Sequence, residues 1–424
     1  MEESVTAAVG LEAAAQVAPA LDLMHGLFLN EAFEHHRGRV PVDPLQHEKP
    51  AIEPRSEQME QVRIDACALL MLRERRQEAL PQVDQDPSSA NLIRLQGAVE
   101  PPRQELFRRA NMAPGGTAVL LDMRRELLKT LPEHPARAGI DVDLIHLFRS
   151  WFNRGFLVLQ RIDWHTPAVI LERLIQYEAV HEIQGWRDLR RRLEGDRRCY
   201  AFFHPVLPEE PLVFIEVALT RGMSAAVQPL LDPESPIGDA TKANCAIFYS
   251  ITNCQEGLKG VSFGNFLIKQ VVDDLGRELP RLSTFATLSP IPGFCQWLRQ
   301  KEHAKVRSKT LEALLGAVQK GRVPDVGAVP ASLRDEITGH CVEYLLRARR
   351  NSVPVDAVER FHLANGARLE RLNWMGDPSK NGVRRSLGLM VNYVYRRADL
   401  ERNHEAYAKR GKIVAAPRFA TRFR

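Results

Sequence analysis

The runs with strong β-forming character all fall late in the chain. Cys199 to His204, Leu212 to Leu219 and Ala246 to Ile251 follow the charged stretch Arg187 to Arg198. Upstream, from Ala7 to about Leu193, apolar residues recur at helical spacing, as in Val62 to Leu80, and in Ala118 to Leu131 after the turn Pro114-Gly115-Gly116-Thr117. Strands confined to one part, alternating there with helices such as Phe263 to Leu279, predict an α+β chain. An all-helical domain over 1–194 precedes a mixed α/β domain with a central sheet over 195–424. A chain of 424 residues also exceeds what one core usually organises, and two domains satisfy that bound.

Two segments read less simply. Gln46 to Ser56 is polar and broken by prolines, and is expected to link an N-terminal helix to the rest. Gly155-Phe156-Leu157-Val158-Leu159-Gln160-Arg161-Ile162 is apolar but short, so periodicity leaves strand and helix equally open.

Charge and cysteine usage exclude several function classes. The formal charge of +5 is concentrated in the tail, from Arg396 and Arg397 through Lys409, Arg410 and Lys412 to Arg424. A basic tail can hold nucleic acid or an anionic membrane, but a solvated or subunit-docking tail is the commoner case. The stretch Arg187 to Arg198 carries Asp188, Glu194 and Asp196 among its arginines, as a solvated helix face does. Neither nucleic acid nor membrane is therefore expected as a partner. Cysteines 67, 199, 245, 254, 295 and 341 are widely spaced without a C-x-x-C pair, so neither a zinc cluster nor a disulfide framework is expected. His165 with His181, and Cys245 with Cys254, lack zinc-ligand spacing as well. The opening Met1-Glu2-Glu3 has no signal-peptide character, no apolar stretch reaches the ~18 residues of a membrane span, and Thr421-Arg422-Phe423-Arg424 is no peroxisomal address. A cytoplasmic location is expected.

The strand Ala246 to Ile251 runs into Gln255-Glu256-Gly257-Leu258-Lys259-Gly260-Val261-Ser262-Phe263-Gly264-Asn265 and then a helix. Three glycines within eight residues let backbone approach a ligand closely, and the helix that follows offers free N–H groups and a positive dipole end to a phosphate. No Gly-Lys-Ser/Thr follows, so this is not a P-loop, and the G-x-G-x-x-G order of a dinucleotide fold is missing. It looks like the pyrophosphate loop of GNAT-type acetyltransferases, which hold coenzyme A at such a junction.

Two further segments, Phe285-Ala286-Thr287-Leu288-Ser289-Pro290-Ile291-Pro292-Gly293-Phe294 and Phe361-His362-Leu363-Ala364-Asn365-Gly366-Ala367 with Asn373-Trp374-Met375, resemble malonyl-CoA decarboxylases. So do Gly155-Phe156-Leu157, Trp164-His165-Thr166-Pro167, the strand at 246–251, and Gly388-Leu389-Met390-Val391-Asn392-Tyr393-Val394-Tyr395. The likeness runs, with gaps, from about residue 105 to 395. It implies a helical domain that supports homo-oligomers, a dimer or tetramer, and a GNAT-like catalytic domain. It also implies malonyl-CoA as substrate, with no metal or organic cofactor.

Carried over by motif, Ser289 and His362 match the family's catalytic serine and histidine. Lys259, Gly260, Val261, Ser262, Phe263, Gly264 and Asn265 match its CoA-contacting loop, and Tyr395 matches a tyrosine near the site. His204 falls where the family often has histidine. Animal members carry glutamate where this chain has Ser262, which removes that carboxylate from any role here.

Decarboxylation leaves two electrons on the α carbon, delocalised into the thioester carbonyl, and the carbanion then takes a proton. An imidazole, with an ordinary pKa of about 6.5, suits that delivery, so His362 is the expected general acid. Ser289 precedes a proline that favours extended backbone, and Pro290 and Pro292 stiffen its loop. A hydrogen bond orienting the leaving carboxylate is its expected role, because an ionised carboxylate has no proton to give up. A GNAT-type acyltransferase is the rival reading, since the same cradle would hold acetyl-CoA.

Overall fold

The computed structural model describes residues 78–261, 267–300, 307–322 and 325–420. The expected linker at Gln46 to Ser56 lies outside them, as does the helix at Val62 to Leu80 apart from residues 78–80, which are helical. The chain forms two compact units, one comprising residues up to Asn153 plus Gln255–Ser262, the other Arg154–Cys254 plus Phe263–Arg424.

The first unit is helical: α1 (Ser89–Val99), α2 (Pro102–Met112), α3 (Gly116–Thr130) and α4 (Ala138–Trp151). Thr117, Leu120, Leu121, Arg124 and Leu127 fall three or four apart and form the buried stripe of α3. The tight entry to α3 requires glycine, because a Cβ on Gly116 would sit 1.8 Å from the Ala110 carbonyl oxygen.

The second unit is built on one eight-stranded sheet. Its strands are β1 (Val158–Ile162), β2 (Arg197–Phe203), β3 (Val213–Thr220), β4 (Cys245–Asn253), β5 (Thr284–Thr287), β6 (Ser289–Pro290), β9 (Arg368–Asn373) and β10 (Met390–Val394). The order is β1-β2-β3-β4-β5-β10-β6, with β9 also paired to β10. β7 (Arg349–Arg350) and β8 (Val353–Pro354) form a separate ribbon. Helices α5 (Ala168–Tyr177), α6 (Trp186–Arg192), α7 (Leu267–Glu278), α8 (Ala331–Arg347) and α9 (Ala357–Ala364) belong to this unit. The expected mixed α/β domain with a central sheet is present, and the three predicted strands correspond to β2, β3 and β4.

The division between units falls at Asn153/Arg154, not near 195. The reason is the short apolar run at 155–162. It forms β1, antiparallel to β2 from Val158/Phe203 to Ile162/Cys199, and so joins the sheet. Ile170, Leu171 and Leu174 of α5 then pack on Cys199, Ala201, Phe203 and Phe214. Helices expected in the first domain therefore cover the sheet of the second.

β4 and β5 are parallel, which requires a crossover. Between them the chain contributes 255–262 to the first unit and then forms α7, whose Leu267, Ile268, Val271, Val272 and Leu275 are buried. The basic C-terminal segment is folded up to Ala420. A helix from Leu400 to Arg410 buries Leu400, Asn403 and Ala406, so this stretch is part of the unit's packing rather than a solvated tail.

Candidate active site

Four elements of the second unit bring polar side chains together. Pro290 follows Ser289 in β6, and both pair with β10 through Val391/Ser289 and Met390/Pro290. Thr287 ends β5, two residues earlier on the same face of an extended chain. His362 lies in the last turn of α9, and Tyr395 follows β10 with its N–H donating to the Phe285 carbonyl.

The helix must stop within a turn of His362. Gly366 adopts φ +80°, and a Cβ there would lie 2.2 Å from the Leu400 carbonyl oxygen. Only glycine fits, which gives the Asn365-Gly366 pair its purpose.

These side chains form one hydrogen-bonded chain. The Ser289 hydroxyl donates to Thr287 Oγ1 at 2.8 Å, and Ser289 Oγ lies 3.0 Å from His362 Nε2. His362 Nδ1 lies 2.6 Å from the Tyr395 hydroxyl. Thr287 Oγ1 also accepts from the Tyr393 N–H at 3.1 Å, fixing it between strands. With the serine proton committed to Thr287, the network assigns the hydrogen to Nε2 and makes Nδ1 the acceptor from Tyr395. In that tautomer Ser289 Oγ accepts from Nε2–H.

The imidazole is enclosed by aromatic rings. Tyr393 stacks on it at 4.5 Å between centroids, and Phe248 meets Tyr395 edge-on at 6.3 Å. Ser289 and His362 are 5% and 3% exposed, so the pair is buried. Burial pushes the His362 pKa down to about 3 and raises that of Tyr395 well above its ordinary value. At neutral pH the whole chain is uncharged.

The structure therefore joins Ser289, His362 and Tyr395 in one network. Thr287 completes it and was not foreseen, although its place two residues before Ser289 in a strand was a usable signal. His204 sits in the turn after β2, where its Nδ1 accepts from the Val206 N–H.

The glycine loop belongs in part to the first unit. Lys259, Gly260 and Val261 are in that unit, whereas Ser262, Phe263, Gly264 and Asn265 lie outside the described residues. Gly260 adopts φ +81°, a backbone conformation that favours glycine. Gly257 has another purpose: a Cβ there would lie 2.3 Å from the Leu121 carbonyl oxygen, so it permits close packing on α3. Arg124 of α3, buried and paired with Asp141 at 2.8 Å, donates to the carbonyls of Gly257 at 2.5 Å and Lys259 at 2.8 Å. The described part of the loop is held in shape by the helical unit.

Comparison with known proteins follows the same division. A family model described as malonyl-CoA decarboxylase N-terminal domain matches residues 73–152, and one described as the C-terminal domain matches 155–424. The mitochondrial malonyl-CoA decarboxylase of Anser anser anser is 35% identical over 373 residues, covering 81% of this chain and 72% of the relative. That of Mus musculus is 34% identical over 383 residues, covering 84% and 77%. Among solved structures, malonyl-CoA decarboxylase from Rhodopseudomonas palustris is 49% identical, covering 82% of this chain and 86% of that one, with a TM-score of 0.76. The Cupriavidus metallidurans structure is 40% identical, covering 80% and 86%, with a TM-score of 0.65.

Proposed function

The chain belongs to the malonyl-CoA decarboxylase family, and from that premise we propose that it cleaves CO2 from malonyl-CoA to give acetyl-CoA, with His362 as the proton donor. The observation that carries the reading is the buried, uncharged chain Thr287–Ser289–His362–Tyr395, with hydroxyls on both imidazole nitrogens.

A neutral imidazole is a poor acid, and burial holds His362 neutral. The substrate's own carboxylate resolves this. An anion beside the ring favours the protonated imidazole, so one proton enters with the substrate. Both neighbouring hydroxyls can turn to accept, Tyr395 from Nδ1–H and Ser289 from Nε2–H. When the carbon–carbon bond breaks, the electron pair passes to the α carbon and into the thioester carbonyl. CO2 departs uncharged, and the negative charge that held the proton on the ring passes to the enolate, whose α carbon is far more basic than the carboxylate was. In its dry site the imidazolium then becomes a strong acid and protonates the α carbon. Ser289 orients the carboxylate before cleavage by turning its hydroxyl hydrogen from Thr287 to the substrate while its oxygen accepts from Nε2–H, and two prolines hold that oxygen in place.

The thioester is the electron sink, so the reaction as read uses no resident metal or organic cofactor. Coenzyme A is assigned to Lys259 through Asn265. The pinned carbonyls of Gly257 and Lys259 support this, because a loop ordered before binding loses less entropy on binding. Five described cysteines are free and buried, which fits a reducing compartment such as the cytoplasm. The resemblance supports a dimer or tetramer, which light scattering would measure.

The deciding assay supplies malonyl-CoA alone. Stoichiometric acetyl-CoA and CO2 without any acceptor supports the decarboxylase. Turnover only after an amine or alcohol is added supports the acyltransferase instead.

A further inference from the structure

We infer that Asp356 is a positioning residue that sets the spacing between Ser289 and His362, by tying the serine loop to the first turn of the histidine helix. This inference rests on the decarboxylase reading of that pair. Asp356 is 3% exposed and stands at the N-cap of α9. Its Oδ1 accepts from the N–H groups of Val358 and Glu359, both at 3.0 Å. Its Oδ2 accepts from the Tyr344 hydroxyl of α8 at 3.2 Å. The backbone N–H of Gly293 lies beside the same carboxylate and favours its charged form.

Gly293 closes the segment Ser289-Pro290-Ile291-Pro292-Gly293. A Cβ built there falls 2.3 Å from the Tyr344 hydroxyl and 3.7 Å from Asp356 Oδ2, so glycine allows the loop to approach this carboxylate.

Each half of this clamp leads to one member of the pair through little free torsion. Toward the loop, two prolines fix backbone φ over the four residues back to Ser289, and Ile291 between them is fully buried. Toward the helix, Val358 and Glu359 precede His362 by one turn of regular hydrogen bonding. An N-cap needs only one carboxylate oxygen. Here the second oxygen faces the loop and Tyr344, and a cap alone gives it no reason to do so.

The two oxygens can be separated by substitution. Asp356→Asn can keep an oxygen toward the helix, but its amide nitrogen then faces the Gly293 N–H, donor against donor. Under the inference its kcat falls about 10- to 100-fold, as for a catalytic group displaced by a fraction of an ångström, while KM changes less than about threefold. Its melting temperature stays within a few degrees of wild type, because the cap survives. On a His362→Asn background the same substitution lowers residual turnover less than about twofold, since the spacing no longer serves a proton transfer.

A kcat for Asp356→Asn within threefold of wild type overturns the inference. So does a loss that persists in full on the His362→Asn background, which marks a general structural effect. If Asp356→Asn does not fold, Gly293→Ala tests the same link from the loop side, and wild-type kcat there has the same overturning force. Failure of the decarboxylase reading is distinguishable, because wild type itself then releases no CO2 from malonyl-CoA.

Discussion

The second unit buries two clusters of polar side chains, and they resolve burial in opposite ways. Around α6 acidic and basic side chains face each other, although burial pushes the Glu216 carboxyl up to about 8. Arg192 reaches Glu216 at 2.7 Å, Asp188 at 3.3 Å and the His181 carbonyl at 2.7 Å. Arg191 pairs with Asp196 at 2.7 Å, and Glu178 accepts from Ser250, Thr252 and the N–H groups of Val180 and His181. The side chains hydrogen-bonded around His362, Thr287, Ser289 and Tyr395, are uncharged hydroxyls. Each cluster holds a buried histidine with a lowered pKa, about 4 for His181 and about 3 for His362. Burial is the main cause for both, but Asp377, Arg192 and Arg385 also act on His181, whereas burial alone acts on His362. A cluster that supplies its own counter-charges is complete without a ligand. One that lacks a counter-charge becomes complete when an anion enters, and that difference marks the place for chemistry.

The sharpest test exchanges the roles of the two clusters. His362→Asn is expected to lower kcat about 10²- to 10⁴-fold, the usual contribution of a positioned acid, with the melting temperature little changed. Arg192→Met is expected to do the reverse, since it strands Glu216 without its cation. Chemical denaturation should show a loss of about 3–5 kcal/mol, while kcat measured well below the melting temperature stays within about threefold. A large drop in kcat for folded Arg192→Met, or none for His362→Asn, would erase the distinction.

The missing counter-charge also has a pH signature. Free His362 has a pKa of about 3, so across the neutral range its ring carries a single N–H and no charge. The reactive complex carries a second ring proton. Forming that complex therefore takes up a proton, and affinity falls as pH rises between the free pKa and the higher pKa of the complex. The expected kcat/KM falls about tenfold for each pH unit through neutrality, while kcat is flatter. Stopped-flow with a pH indicator should record about one proton taken up per substrate bound. A flat kcat/KM from pH 6 to 8 would show that the proton is not acquired this way.

The sequence exposed these features unevenly, for physical reasons. Ser289, His362 and Tyr395 were accessible because their motifs are local, and a local motif survives translation into structure. Thr287 and Asp356 have weaker local signals: alternation along a strand places Thr287 beside Ser289, and Asp356 three residues before Glu359 has helix N-terminus spacing. The run at 155–162 was different in kind. Whether it forms a strand depends on β2, some forty residues on, and no local pattern contains that. Gly257 followed the same rule, since its requirement for glycine comes from the Leu121 carbonyl on a distant helix.

The smallest effect isolates what one hydroxyl contributes to an uncharged site. Tyr395→Phe keeps the ring that packs against Phe248 and removes only the partner of His362 Nδ1. In the ligand-free protein a neutral nitrogen loses one hydrogen bond. In the complex a charged N–H loses its acceptor, which is worth more, on the order of 1.5 kcal/mol or about tenfold. The deficit should therefore appear in kcat/KM, with little change in thermal stability. Ser250→Ala removes a hydroxyl that donates to Glu178 at 2.8 Å in the charged cluster, and should lower stability without moving kcat/KM. If both hydroxyls affect only stability, the imidazole is no more chemically poised than His181. The electrostatic contrast between the clusters would then be a matter of packing alone.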